Sequence, residues 1–256
     1  METTVAISVL RGIARPVLAT AGEHESFPVR FTFRLVLERL ESSLGTLEVL
    51  IKDDALRHDH SIGLICRNIL SDVITTGFLI KLSTTEENLH ENLYALYYDD
   101  LKRTDMVIKL YAESNLITTE EAIEYNDIQA MPDSMFKLIR NYVDEYKPEP
   151  FPGSTSIIKK LIASKKDDPW SIELRRSYDI WIYYSKYEHL GWYAYQLTRA
   201  LDCKKAESRF KSVLRLATLL LSSCLEMLGQ KDSLDKSMAI YRQLLTTPTN
   251  APVGNA

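Results

Sequence analysis

The chain has 256 residues, 45% hydrophobic and 26% charged, long enough for one large domain with a sizeable core and too apolar for an intrinsically disordered segment. Thirty-one Lys and Arg stand against 35 Asp and Glu, and a net charge of −4 denies the whole molecule the positive field that nucleic-acid backbones select. Three cysteines, Cys66, Cys203 and Cys224, are odd in number and far apart, and two of them fall on apolar helical stripes, as the reduced thiols of a cytoplasmic protein do.

The N-terminal stretch METTVAISVLRGIARPVLATAG opens on an acidic residue, and Arg11, Arg15 and Pro16 interrupt its apolar run, which argues against a signal peptide. Val5, Ile7 and Val9 alternate with small residues, a pattern that suits a short strand but is too brief to decide it. Elsewhere the apolar residues recur at three and four. From Ser26, a suitable N-cap, Phe33, Leu37, Leu40, Leu44, Leu47 and Ile51 mark one face of a helix running to about Lys52. After the loop DDALRHDHS, a helix over 61–82 is apolar on nearly every side and reads as central and buried.

A third helix, over 85–114, carries Glu86 and Glu87 where the positive end of the helix dipole favours them. Two shorter ones follow, TTEEAIEYNDI from a Thr cap and DSMFKLIRNYVDEY from Asp133. The breaker-rich KPEPFPGSTS, residues 147–156, reads as a long loop or subdomain joint. Beyond it come a short helix in STSIIKKLIASK, a longer one in DPWSIELRRSYDIWIYYSKYEHLG, a striped helix over 205–228 stopped by Gly229, and a last amphipathic helix before a tail, 247–256, that reads as disordered. The uninterrupted apolar runs are shorter than the ~20 residues that span a bilayer, so no membrane is expected. The expected fold is all-α, an irregular bundle of about eight to nine helices in a single domain, 1–256.

Chemistry-bearing residues cluster twice. Nine of the 24 aromatic residues fall between Trp170 and Tyr195, a density that marks a packed core or a ligand-lined pocket. On that helix Ser185 and His189 are i,i+4 neighbours, as are Arg175 and Asp179, but no G-x-S-x-G turn or oxyanion loop accompanies the Ser and His. Arg67 lies in the middle of the apolar 61–82 helix and requires a partner, because an unpaired buried guanidinium costs several kcal/mol. Asp72, five residues away, is poorly aimed at it, so the partner is expected from another helix: Asp179, Glu188 or His189.

The second cluster, R-H-D-H at 57–60, imitates with His24, His58, Asp59 and Asp99 or Asp100 the His, His-Asp, Asp order of the HD phosphohydrolases, and defines the alternative metal site. Glu87-x-x-His90 is half of a di-iron pattern whose second half is missing. The Arg-then-His spacing of HEPN-type ribonucleases, phosphate loops, C-x-x-C pairs and dinucleotide fingerprints do not occur, and no cofactor is expected.

Two segments, ICRNILSD at 65–72 and SYDIWIYYSKYEHLG at 177–191, together resemble the hallmark stretches of an uncharacterised family of all-helical bacterial proteins, in which an early helix carries Arg and an acidic residue and a later Tyr-rich helix ends in Ser-x-x-x-His. The resemblance covers about residues 28–200. It implies a bacterial, helical, intracellular protein with Arg67, Asp72, Ser185 and His189 as its polar signature, and it departs from the family at Glu188 and Leu190, which flank the His. The functional expectation is a binding or regulatory module with a polar cleft between the Arg67 and His189 helices, built from Arg67, Asp72, Asp179, Ser185 and His189. Its partner is a protein or a small ligand rather than nucleic acid, and a homodimer is compatible. The alternative is a metal-dependent or nucleotide- or RNA-directed hydrolase.

Overall fold

A computed structural model describes residues 2–20, 27–55, 57–131, 134–163, 168–185 and 203–246. Among them the chain is all-α, with ten helices and no strand. In chain order these are α1 (Thr3–Thr20), α2 (Val29–Asp54), α3 (Asp59–Leu82), α4 (Glu86–Glu113), α5 (Thr119–Ala130), α6 (Met135–Tyr146), α7 (Ser154–Ala163), α8 (Pro169–Ser185), α9 (Cys203–Met227) and α10 (Lys231–Thr246). The tail 247–256 lies outside the described residues.

α1 is the helix that residue alternation disguised. Val5 is 48% exposed, whereas Ala6, Ile7, Leu10, Ile13, Ala14 and Val17 are buried at helical spacing. The two arginines that break its apolar run tie it to α2. Arg11 Nε donates to Glu41 at 3.0 Å and its Nη1 to Glu48, while Arg15 Nε reaches Glu41 at 2.8 Å. The Arg11 guanidinium lies over Gly45, where a Cβ would meet Nη2 at 2.9 Å, so the glycine makes room for the charge between its two acidic neighbours.

Helix ends follow the local chemistry. α2 starts at Val29 behind Pro28, and Ser26 lies outside the described residues. Thr85 caps α4, Thr118 and Glu121 close a reciprocal capping box on α5, and the α6 cap is Ser134, whose hydroxyl accepts from Lys137 N at 3.2 Å. Gly229, at φ +74°, closes α9: Gln230 N donates to Leu225 O at 2.8 Å and Gly229 N to Glu226 O at 3.0 Å, the paired bonds of a left-handed helix stop.

The chain forms two compact units, residues 1–82 with 154–256, and residues 83–153. In the first, α9 packs against α1, α2, α3, α8 and α10, and all ten residues from Leu216 to Leu225 are buried. α3 packs against α2, α7, α8 and α9. The mean hydropathy of α3 reaches 1.4 over eighteen residues, enough by length and composition to cross a bilayer, a property that the buried core helix of a globular protein shares. Of that stretch, 61% is buried inside the protein.

In the second unit α4, α5 and α6 pack on one another around a small core of Leu89, Leu93, Tyr94, Leu101 and Ile139. Tyr94 and Tyr142 stack with ring centroids 3.8 Å apart. Asp105 joins the three helices, accepting from Gln129 Nε2 at 3.1 Å and from Arg140 Nη2 at 2.7 Å. Gln129 is the one buried side chain of α5.

Gly77 sets the distance between α3 and α8: a Cβ there would meet Leu174 Cδ1 at 2.6 Å, and Leu174 is itself buried. Gly77→Ala gains about 1 kcal/mol of helix propensity but overpacks this seam, so the expected net loss is about 1–2 kcal/mol. Chemical denaturation of Gly77→Ala, Leu174→Ala and the double variant checks it. The double variant should recover most of the Gly77→Ala loss, and strictly additive effects would show that the seam has room for the methyl group.

Candidate functional site

The seam between α3 and α8 holds Arg67, one of the polar residues that the sequence singles out. Arg67, on α3, directs its guanidinium onto the Trp181 ring of α8, 5.6 Å from the ring centroid, and burial lowers its pKa from the usual value. The indole Nε1 of Trp181 donates to Ser71 Oγ, one turn along α3, at 3.3 Å, and Ser71 in turn donates to Arg67 O at 3.0 Å. Tyr178 lies nearly parallel to Trp181, with centroids 6.3 Å apart. A turn earlier on α3, Cys66 shares a hydrogen bond with Tyr184, and burial pushes its thiol pKa up, so it stays a protonated thiol.

The Arg67 helix and the aromatic helix are therefore in contact, and the described partner of Arg67 is an aromatic face on α8. His189 and Glu188 lie outside the described residues, as does the side chain of Asp179, whose backbone belongs to α8. Ser185 closes the described part of α8 and donates its hydroxyl to Ile182 O at 2.7 Å, a bond within its own helix.

Asp72 belongs elsewhere. It faces α2, where Arg39 Nη2 stands 3.1 Å from Oδ1, and its charge adds to the rise that burial imposes on the pKa of the Cys224 thiol of α9. Burial drives the Asp72 carboxyl up to about 6, with Arg39 opposing the rise. Arg67 and Asp72 thus leave α3 on different faces.

Three contacts of the same three helices escaped the sequence. Glu173 of α8, 2% exposed, pairs with Arg215 Nε of α9 at 3.6 Å, and Arg215 Nη2 also donates to Ser212. Trp170 Nε1 donates to Ser223 Oγ of α9 at 2.6 Å. Lys81 of α3 reaches Asp168, the residue that caps α8 through Ser171. Burial works against the Asp168 charge, but its bonds to Ser171 and Lys81 outweigh this and hold the pKa low.

The alternative metal residues scatter. His58 Nε2 lies 2.7 Å from Asp53, Asp59 sits in the first turn of α3, and Asp99 of α4 pairs with Arg103 at 2.7 Å, while His24 lies outside the described residues. Among the described residues no three His, Cys, Asp or Glu side chains converge as metal ligands. What the α3 and α8 seam offers chemically is a cation held on an indole beside a hydroxyl, an arrangement for holding and orienting groups.

A second feature appears only in the structure. Of fifteen large hydrophobic side chains that are exposed among the described residues, eleven belong to residues 83–153. On α4 they form a stripe of Met106, Val107, Leu110 and Tyr111, 39–65% exposed, on one side of the helix, with Leu101 and Asp105 turned the other way. Compared with protein families, with curated proteins and with solved structures, the chain matches none.

Two measurements check this geometry. Trp181→Phe keeps a ring against Arg67 but removes the Ser71 bond, an expected loss of about 1 kcal/mol, while Arg67→Ala and Trp181→Ala together should show a coupling energy of about 0.5–2 kcal/mol. Zero coupling in a double-mutant cycle would sink the contact. Asp72 has its folded pKa, about 6, above its unfolded value of 3.8, so its contribution to stability is complete below about pH 4 and is lost as pH rises through 6. Asp72→Asn, which cannot ionise, should gain on the parent protein by up to about 3 kcal/mol between pH 4 and pH 6 and then hold that margin. Parallel stability curves from urea unfolding across this range would refute the shift.

Proposed function

We propose that the protein is a cytoplasmic binding module that engages another protein through residues 83–153. The observation that carries this reading is the stripe on α4 together with the other exposed apolar side chains of that unit, Leu116, Ile123 and Met131 among them. Soluble single chains rarely leave contiguous apolar surface in water unless a partner covers it. A core as small as that of α4, α5 and α6 also supplies little stability by itself, and burying the stripe against a partner would add roughly 1.5–3 kcal/mol for each side chain fully covered.

The polar groups of the other unit support a scaffolding role for it. Asp72, Glu173, Asp168 and Ser185 each meet a group of the protein itself, as do Arg11, Arg39 and Arg215. The seam of Arg67 and Trp181 then serves to fix α8 on α3. Buried, protonated Cys66 and Cys224 suit a reducing compartment.

The test uses the full chain as bait. A protein recovered with the parent chain should be lost with Leu110→Glu, a change on an exposed position that leaves the thermal unfolding midpoint unaltered, and calorimetry with the purified partner should show the same loss. Equal recovery and affinity with Leu110→Glu and with Met106→Glu would reject the stripe as a binding surface.

A further inference from the structure

We propose that the protein forms a two-fold dimer in which the α4 helices of two copies pair antiparallel through Met106, Val107, Leu110 and Tyr111. This rests on the binding role assigned above to residues 83–153 and names the protein engaged as a second copy of the chain. At helical spacing the four side chains share the side of α4 opposite Leu101 and Asp105, and they are 65%, 39%, 55% and 41% exposed. Val107 and Leu110 run along the middle of this side, with Met106 on one flank and Tyr111 on the other.

The charges at the two ends of the stripe decide the partner. Arg103 lies one turn before Val107 on the same side of the helix and is 71% exposed, while Glu113 follows Leu110 by three residues at the stripe's edge and is 62% exposed. Each meets a group of its own helix, Arg103 with Asp99 at 2.7 Å and Glu113 with Lys109 at 3.9 Å, surface contacts that contribute little and leave both accessible. One end of the stripe thus carries a cation and the other an anion. Turned end for end about the stripe's midpoint, a second α4 sets its Leu110 and Tyr111 level with Val107 and Met106 of the first, and its Glu113 beside Arg103. The two-fold repeats every contact, so the apolar layers are closed at both ends by an Arg–Glu pair. A parallel arrangement would set Arg103 on Arg103 and Glu113 on Glu113.

The acidity of the unit does not oppose this pairing. Residues 83–153 contain fifteen Asp and Glu against six Lys and Arg, a net charge of −9, whereas the rest of the chain has twenty against twenty-five, a net +5. Asp105 is engaged by Arg140 on the inward side of α4; the other charges over 99–113 are Asp99, Asp100 and Glu113 against Lys102, Arg103 and Lys109, three of each sign. The acidic row of α5, Glu120, Glu124 and Asp127, recurs on the side of that helix away from Gln129, which bonds Asp105. α5 therefore stands behind α4, with its row turned away from a copy docked on the stripe. A contact of about three helical turns is small beside the ~800 Å² that each partner gives to a standard interface, so the dimer is reversible, with a Kd of about 1–100 µM.

Sedimentation equilibrium of the full chain over about 1–500 µM follows its mass, 29.3 kDa for one copy. The mass should rise toward twice that value with concentration, and hydrogen exchange should slow within 103–114 as it does. Leu110→Glu should weaken association about tenfold or more, and Arg103→Glu and Glu113→Arg should each weaken it about tenfold. Both changes in one chain, and an equimolar mixture of the two single variants, should restore it, because every cation then faces an anion across the two-fold again. Circular dichroism and thermal unfolding confirm that the variants are folded; if Leu110→Glu is not, Met106→Glu is read in its place, and if a charge reversal is not, the exchange footprint decides. A constant mass of one copy up to about 500 µM, association untouched by Leu110→Glu, no restoration in the mixture, or protection elsewhere than 103–114 would each overturn the dimer. If the chain stays monomeric yet a different protein is lost with Leu110→Glu, the self-pairing fails and the docking role stands. If Leu110→Glu alters neither the mass nor any bound protein, both fail.

Discussion

A helix enclosed on every side must satisfy its own polar groups, and α9 meets that constraint at each buried hydroxyl. Thr218 donates to Leu214 O at 2.7 Å and Ser222 to Thr218 O at 2.8 Å, so both are paired without leaving the helix. The lone pairs left over then serve as docking points: Ser223 accepts the Trp170 indole of α8, and Ser222 meets Ser237 of α10 at 2.7 Å. Ala217 and these short side chains let neighbouring helices approach closely, while Leu216, Leu220, Leu221 and Leu225 fill the space between them. α1, α2, α3, α8 and α10 all pack against this helix.

Charge settles what apolar packing leaves undetermined. Leu, Ile and Val side chains tolerate sliding by a turn, but Arg11 between Glu41 and Glu48, Arg39 with Asp72, Lys81 with Asp168 and Arg215 with Glu173 each fit one register. A slip would leave a charge without its partner, at a cost of about 3–5 kcal/mol for the buried Arg215–Glu173 pair and much less for the solvent-screened Arg39–Asp72 and Lys81–Asp168 pairs. The pairs therefore act more through the alternatives they exclude than through the stability they add.

Much of the fold was legible because helical periodicity survives without tertiary knowledge. The Leu37, Leu40, Leu44 and Leu47 row of α2 and the Val213 to Leu228 row of α9 point inward as their spacing requires. α1 was obscured because three alternating residues, Val5, Ile7 and Val9, overlie the longer helical row of Ile7, Leu10 and Val17. The site was less legible. The contact of Arg67 with Trp181 gave no sign in the sequence, since an indole face carries no formal charge, while the expected partners Glu188, His189 and the Asp179 side chain lie outside the described residues. Glu173 stands in the run S-I-E-L-R-R-S, which resembles a solvated helix face, and its burial depends on Arg215, more than forty residues later. The acidic character of 83–153 was present in the counts but cancelled against the basic remainder when the chain was summed as a whole.

The hydropathy of α3 has a consequence for how the protein is made. α3 leaves the ribosome about 140 residues before the buried run of α9 that covers it, and the whole of residues 83–153 is synthesised in between. At about 5–20 residues per second this interval lasts about 7–30 s, during which a segment apolar enough to enter a bilayer has α2 but still lacks α9. Nascent-chain handling, by a chaperone that shields α3 or by slow release of the later helices, thereby becomes a determinant of yield, and changes far from any binding surface that delay α8 or α9 would divert the chain toward aggregation or mistargeting.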